Sequence, residues 1–166
     1  MPTPYYDVFF GISEAASQHL YGALEADFTG ANVVTADTSP DTNQNWQIVR
    51  GSGFGLSYLP GYIIDQRNLL YFRTGLVLTQ FQKTGDYYPA TNFSQWDPGL
   101  KLGFGYEFAL TNSLSARAEY DYTFYKSISE NTTQAGDGTT TNPTVNVSNN
   151  FKPTDNQFNV GLNFRF

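Results

Sequence analysis

Apolar and polar residues alternate one by one along most of this chain. Between residues 100 and 110, Leu100, Leu102, Phe104, Tyr106, Phe108 and Leu110 alternate with Lys101, Gly103, Gly105, Glu107 and Ala109. A period of two puts each set on its own face of an extended strand. The next segment repeats the rule: Leu114, Ala116, Ala118, Tyr120, Tyr122 and Phe124 fall on one face, and Ser115, Arg117, Glu119, Asp121 and Thr123 on the other. Only Thr111-Asn112-Ser113 separates the two, a length that joins antiparallel neighbours as a hairpin. Near the end of the chain, Phe158, Val160, Leu162, Phe164 and Phe166 oppose Gln157, Asn159, Gly161, Asn163 and Arg165. Upstream, Phe54, Leu56, Tyr58, Pro60 and Tyr62 oppose Gly53, Gly55, Ser57, Leu59 and Gly61, while Leu70, Phe72, Leu76 and Leu78 oppose Tyr71, Arg73, Gly75 and Thr79. Leu20, Gly22, Leu24, Ala26 and Phe28 oppose Tyr21, Ala23, Glu25 and Asp27, and a shorter run of Tyr6, Val8, Phe10 and Ile12 precedes them. Seven strands are expected.

The connections alternate in length. They are short at residues 13–18, 65–68 and 111–113, and longer at 35–45, 83–96 and 129–155. Short links on one side and long ones on the other describe an up-and-down barrel that crosses a membrane, with strands of about ten residues. The long links are rich in Thr, Asn, Asp, Gly and Pro, which favour solvated turns over strands. At 166 residues the chain fits a single domain, residues 1–166.

Composition decides which face meets what. The mean hydropathy is negative, and no stretch approaches the roughly 18 apolar residues of a membrane helix. Yet the chain holds 14 Phe, 12 Tyr and 15 Gly, and only 14% of it is charged, less than the surface of a soluble barrel ordinarily carries. The polar face carries Glu25, Asp27, Arg73, Lys101, Glu107, Arg117, Glu119, Asp121 and Arg165 among glycines. That composition suits a narrow interior laced by ion pairs, with the apolar face turned outward to lipid. Trp46, Tyr58, Tyr62, Trp96, Tyr120 and Tyr122 are expected near the membrane boundaries, as an aromatic girdle. A net charge of −6 without a basic run excludes a nucleic-acid role. The amino terminus shows no charged segment followed by an apolar one, so an exported chain is expected to be the mature or trimmed form.

Several segments together resemble the outer-membrane β-barrel family that includes porin-family, OmpA-like and opacity-type proteins. They are Tyr21-Gly22-Ala23-Leu24-Glu25-Ala26-Asp27, Pro60-Gly61-Tyr62, Leu69-Leu70-Tyr71-Phe72-Arg73, Gly103-Phe104-Gly105-Tyr106-Glu107, Ala116-Arg117-Ala118-Glu119-Tyr120-Asp121-Tyr122 and Gly161-Leu162-Asn163-Phe164-Arg165-Phe166. The resemblance spans nearly the whole chain. It implies an all-β, antiparallel up-and-down transmembrane barrel in the bacterial outer membrane, in contact with its lipid and lipopolysaccharide. It also implies that Phe158, Val160, Leu162, Phe164 and Phe166 form the terminal signal read by the outer-membrane assembly machinery. Family barrels have eight strands and seven are recognised here, so the first is expected to be absent. Met1-Pro2-Thr3-Pro4 cannot supply it, because two prolines in four residues preclude a regular ladder. Truncation of the sequence, a strand lent by a second chain, and an amino-terminal segment lying across the gap are the three explanations.

Candidate chemistry is sparse. Nucleophilic hydrolysis needs a base with an orienting acid, and His19, the one histidine, sits beside a short turn on the expected periplasmic side, where it caps a strand. A protease of paired acids and histidine at the outer rim lacks its histidine. Glu119 and Asp121 beside Arg117 form either a paired-carboxylate site or an internal salt-bridge network, and the network is favoured. Residues 37–43 offer oxygen ligands without the spacing of a calcium loop. Asn92-Phe93-Ser94, Asn131-Thr132-Thr133 and Asn146-Val147-Ser148 match a glycosylation sequon that has no meaning in a bacterial outer-membrane protein. No cofactor or metal is expected, since cysteine is absent and histidine single. The expected role is non-enzymatic: a structural or surface-interaction, adhesin-like barrel whose loops meet host or cell-surface ligands. Residues 131–150 are either a variable surface loop of that kind or a solvated hydrophilic connection, and the connection is favoured. The alternatives are a small passive pore, and a homo-oligomer in which a neighbouring chain closes the open edge.

Overall fold

A computed structural model describes residues 6–30, 33–39, 44–85, 93–134 and 145–165, and side chains outside 31–48, 83–93 and 128–151. Every regular element is a strand: β1 (Tyr6–Ala15), β2 (Leu20–Gly30), β3 (Val33–Ser39), β4 (Gln44–Ile63), β5 (Asn68–Gly85), β6 (Phe93–Ala109), β7 (Leu114–Tyr125), β8 (Ile128–Gln134), β9 (Val145–Phe151) and β10 (Thr154–Phe164). Among the described residues no helix is long and apolar enough to cross a membrane, which says nothing of crossing by strands.

Seven strands, in the order β1-β2-β4-β5-β6-β7-β10, form an up-and-down antiparallel sheet that curls into a half-barrel. Registers follow the expected hairpins: Phe104 lies opposite Tyr120, Leu76 opposite Leu100, and Val160 opposite Ala118. β3 pairs with residues 44–50 of β4 while β2 pairs with residues 53–62 of the same strand, so β2 and β3 are two lengths of one stave. β8 and β9 pair with each other.

The long connections differ from the expected solvated loops. β3 occupies much of residues 35–45, β5 runs to Gly85 and β6 starts at Phe93. Within residues 129–155 lie most of β8, all of β9 and the start of β10. Thr and Asn were read there as loop formers, but Val33, Val34, Val145 and Val147 punctuate them, and β-branched residues extend a ladder already in register.

All three short turns use one device. A side-chain oxygen accepts hydrogen bonds from the amides two and three residues on: Ser17 Oγ from His19 and Leu20 (3.3 and 3.1 Å), Asp65 Oδ1 from Arg67 and Asn68 (2.8 and 2.9 Å), and Thr111 Oγ1 from Ser113 and Leu114 (3.3 and 3.1 Å). Local side-chain acceptance of this kind satisfies amides that no ladder reaches.

The sheet ends on β1 and β10. β1 runs toward the turn at 16–19, and β10 finishes beside the turn at 110–113, where the Arg165 amide donates to the Ser113 carbonyl (2.9 Å). With an odd number of staves the two edges run in the same direction.

The Asp65 turn gives a test. The Arg67 amide, followed by the Asn68 side chain, holds the Asp65 carboxyl below its ordinary value of 3.8. A depressed carboxyl stabilises the fold above its unfolded value and loses that contribution as pH falls through its folded value. The Arg67 and Asn68 amides should therefore keep full exchange protection above about pH 4 and lose it only at lower pH. Asp65→Ala should remove the pH dependence and speed their exchange at neutral pH. Unchanged protection in Asp65→Ala, read by hydrogen exchange, would count against the turn's dependence on this carboxylate.

Candidate functional site

Alternation distributes side chains unlike a water-soluble core. Among the described residues, fifteen polar or charged side chains are buried and only seven hydrophobic ones. The buried polar groups lie on the concave face. The exposed large hydrophobics lie on the convex face, among them Phe10, Leu24, Phe54, Leu56, Leu76, Phe104 and Val160.

At the centre of the concavity stands Arg73 of β5, 2% exposed. Its Nη2 lies 2.5 Å from Glu25 Oε2, its Nε 3.0 Å from Glu119 Oε2 and its Nη1 3.4 Å from Asp27 Oδ1. Arg117 of β7 forks onto Glu25 of β2, with Nη1 to Oε1 at 2.8 Å and Nη2 to Oε2 at 2.7 Å. Its guanidinium also lies over the Phe9 ring of β1, 4.2 Å from the centroid. Lys101 of β6 reaches Asp27 at 3.1 Å, and the Tyr71 hydroxyl donates to Glu119 Oε2 at 2.7 Å. Three carboxylates and three cations thus alternate across the curl and tie β2 to β5, β6 and β7. Shared, forked ion pairs of this kind offset the desolvation that an isolated buried charge would suffer.

The remaining charged residues expected inside sit on the same face. Asp121 is 1% exposed and accepts from Asn159 Nδ2 (3.0 Å). Glu107 gathers Ser115 Oγ and Arg165 Nη2, each at 2.6 Å, with Arg165 itself half exposed at the rim. Of the expected terminal signal, Phe158, Val160, Leu162 and Phe164 project from the convex face of β10, and Phe166 lies outside the described residues.

Two apolar clusters lie above and below the ions. Ala23, Leu59, Leu69 and Tyr71 cluster toward the short turns. Val77, Phe81 and Tyr125 cluster toward the other end, where Phe81 meets Tyr125 edge to face with centroids 4.9 Å apart. Glycine provides the width. Gly55, Gly75, Gly103 and Gly105 lie directly opposite Asp27, Ser57, Asp121 and Tyr71, and each of those side chains occupies the space where a glycine Cβ would stand.

Some inward groups were not anticipated. Arg50 pairs with Asp155 at 2.9 Å, joining β4 to β10. Its parity is wrong for strict alternation because the register shifts between Arg50 and Gly53, and a bulge turns the following residues over. Asp155 has the right parity but fell within the loop expected at 129–155, and Asp97 has the right parity but lies between the loop expected at 83–96 and the run recognised from Leu100. Carrying the alternation of Lys101 and Gln157 upstream reaches both. Asp7 accepts from Thr29 Oγ1 at 3.4 Å.

The groups weighed for chemistry are placed as follows. His19 stacks on Tyr62 with centroids 5.5 Å apart, its Nδ1 3.1 Å from the Ile63 carbonyl oxygen. Glu119 and Asp121 are both buried, Glu119 within the network on Arg73 and Tyr71 and Asp121 beside Asn159. Among the described residues no group of three or more His, Cys, Asp or Glu is placed to hold a metal ion. The side chains of 37–43 and of the three sequon asparagines lie outside the described set.

No protein-family model matches this chain, and no curated protein matches it.

The network predicts a large mutational cost. Arg73→Met leaves Glu25, Asp27 and Glu119 without their shared partner, and loss of one partner from a buried ionic cluster costs about 3–5 kcal/mol. Equilibrium urea unfolding in detergent should show this loss, with Arg73→Lys only partly restoring stability because an ammonium cannot fork. A change below about 1 kcal/mol, the range of exposed pairs, would remove the cluster from its structural role.

Proposed function

We propose that this chain is a small outer-membrane β-barrel protein of Gram-negative type, without catalysis, anchored by its convex face and presenting its upper strand ribbons as a contact surface. One observation carries the reading: the polarity is inside out. Burying an apolar side chain of this size is worth about 1.5–3 kcal/mol, and a water-soluble sheet does not leave its whole apolar face uncovered while burying its arginines. In hydrocarbon the same face needs no partner, and hydrogen-bonded strands leave few polar backbone groups to solvate.

The surface adds detail. Tyr6, Phe28, Phe54 and Trp96 form a contiguous aromatic row on the convex face, with successive centroids 5.1–6.5 Å apart. It lies toward the long connections, at a height suited to one membrane boundary. Tyr62 stands at the other end beside His19. Tyr120 does not belong to either boundary, since it packs on Phe104 midway along β7. β3 and the adjoining ends of β4, β5 and β6 continue the sheet beyond the aromatic row, and β8 and β9 form a separate ribbon. Their Thr, Asn and Gln residues suit a hydrated surface for host or cell-surface ligands.

A passive pore is the weaker reading. Two apolar clusters and the ion network lie at three levels between the curled strands, and a barrel of about eight strands has an interior just wide enough for its own side chains.

Two measurements test the proposal. Refolded into phosphatidylcholine vesicles, the protein should resist added protease. Leu76→Arg, at an exposed position midway along β5, should lower the folding free energy there by about 2–4 kcal/mol, the cost of a cation on a lipid face near the midplane. A protein that stays monomeric and folded in buffer without detergent, and is indifferent to Leu76→Arg, would defeat the reading. In planar bilayers it should give no stable unit conductance steps.

A further inference from the structure

We infer that Lys126 and Lys152 form a site on the convex face, at the upper rim of β7 and β10, for one lipid headgroup that carries a phosphomonoester. The site rests on the proposed membrane insertion and names the lipid chemistry that the rim selects.

Register brings the two lysines together. Phe124 lies opposite Thr154, and the Tyr125 amide donates to the Pro153 carbonyl (3.2 Å). One step further along both strands, Lys126 faces Lys152. The Lys126 amide turns the other way, to the Pro98 carbonyl of β6 (3.0 Å), so the backbone keeps its extended alternation past the last residue of β7. Burial follows the same rule: Tyr125 and Pro153 are buried, while Phe124, Lys126, Lys152 and Thr154 are exposed. Both lysines therefore leave on the convex side, with Phe124. Because Tyr125 and Pro153 form the hydrogen-bonded pair, Lys126 and Lys152 form the closer kind, with Cα atoms about 4.5 Å apart.

Their height matches a headgroup. Lys126 stands twelve residues beyond Leu114, at the lower end of β7, and Lys152 twelve before Phe164, at the lower end of β10. At about 3.4 Å per residue and a strand tilt of about 40°, this is roughly 30 Å up the membrane normal, just above an apolar band about 25 Å tall. Trp96 of the upper aromatic row stands thirteen residues from Ala109 on the adjoining strand, at nearly the same height. Below the lysines the convex face returns to large apolar side chains, among them Phe124 and Phe158 (47 and 67% exposed), which suit acyl chains.

Charge selects the ligand. Like charges directly opposite on neighbouring strands destabilise a sheet, and among the described residues no carboxylate pairs with either lysine. The Asp97 carboxyl of β6 feels the charge of Lys126, but it is buried on the concave face and accepts instead from Gln95 Nε2 (2.9 Å). The other described cations are committed elsewhere. Arg50, Arg73, Lys101, Arg117 and Arg165 each pair with an inward carboxylate, and Arg67 belongs to a lower turn. A phosphomonoester carries a charge of about −1.5 to −2 near neutral pH, so it answers two ammonium groups at once, and its oxygens accept from both. A phosphodiester headgroup, with a single charge, leaves the pair partly uncompensated.

The chain's two tryptophans are Trp46 and Trp96, so Trp46→Phe leaves Trp96, one strand away from Lys126, as a reporter. The protein would be refolded into phosphatidylcholine vesicles holding a minor share of a second lipid, with bromine placed high on the acyl chains of one lipid at a time. Brominated phosphatidic acid, a phosphomonoester, should quench Trp96 as if enriched well beyond its share, and brominated phosphatidylglycerol, a phosphodiester, much less. Lys126→Gln and Lys152→Gln should each lower the enrichment of phosphatidic acid about fivefold, as expected for loss of one cation beside an anionic headgroup. Quenching by brominated phosphatidylcholine should not change. Equal enrichment of the two anionic lipids, enrichment that survives the double substitution, or enrichment no greater than that of phosphatidylcholine would each overturn the inference and leave the membrane reading in place. Enrichment abolished by excess inorganic phosphate at fixed ionic strength would reassign the pair to free phosphate and overturn the lipid site. Trp96 left unquenched by every brominated lipid would defeat membrane insertion, and the lipid site with it.

Discussion

Arg73 and Arg117, held between Glu25 and Glu119, are the constraint around which the half-barrel is arranged. Hydrogen bonds between adjacent strands fix register, but they do not bring β2 across to β7. The guanidinium groups do, because each reaches carboxylates from staves that are not neighbours in the sheet. The curl follows from charge meeting charge over the concave face. Glycine at 55, 103 and 105 follows too, since long side chains need a neighbour with no bulk of its own. With charge committed to the inside, alternation leaves the outside apolar.

Much of this was legible because alternation is strict in the central staves. Eight of the nine charged residues expected inside are buried, Arg165 being half exposed at the rim, and the seven strands pair in the expected order. Two physical effects limited the rest. At Arg50 a register shift reversed the parity, so a rule of period two pointed that side chain the wrong way. In the long connections, hydroxyl and amide residues were read as loop formers, but there the ladder is extended by pairing already established below. Asp155 was hidden for that reason, and Asp97 lay between the expected loop and the start of the recognised run. Which carboxylate each cation chooses was not readable from spacing, because the partners are brought together by curvature and lie 46 to 92 positions apart in sequence.

An inside-out sheet with a filled centre fits a role that depends on presence and surface more than on transport. On the proposed function, anchoring and recognition fall to different levels of the same strands, and a stave such as β4, 20 residues long, would serve both.

The shared chemistry of the three short turns also orders events in time. Each turn is specified by residues within three positions of one another, so β1–β2, β4–β5 and β6–β7 are hairpins whose closure carries little entropic penalty compared with the longer upper links. Hairpins of this kind form on the order of microseconds. β10 is joined to β7 through the β8–β9 ribbon, a longer tether whose closure carries a larger entropic penalty than any of the three short turns.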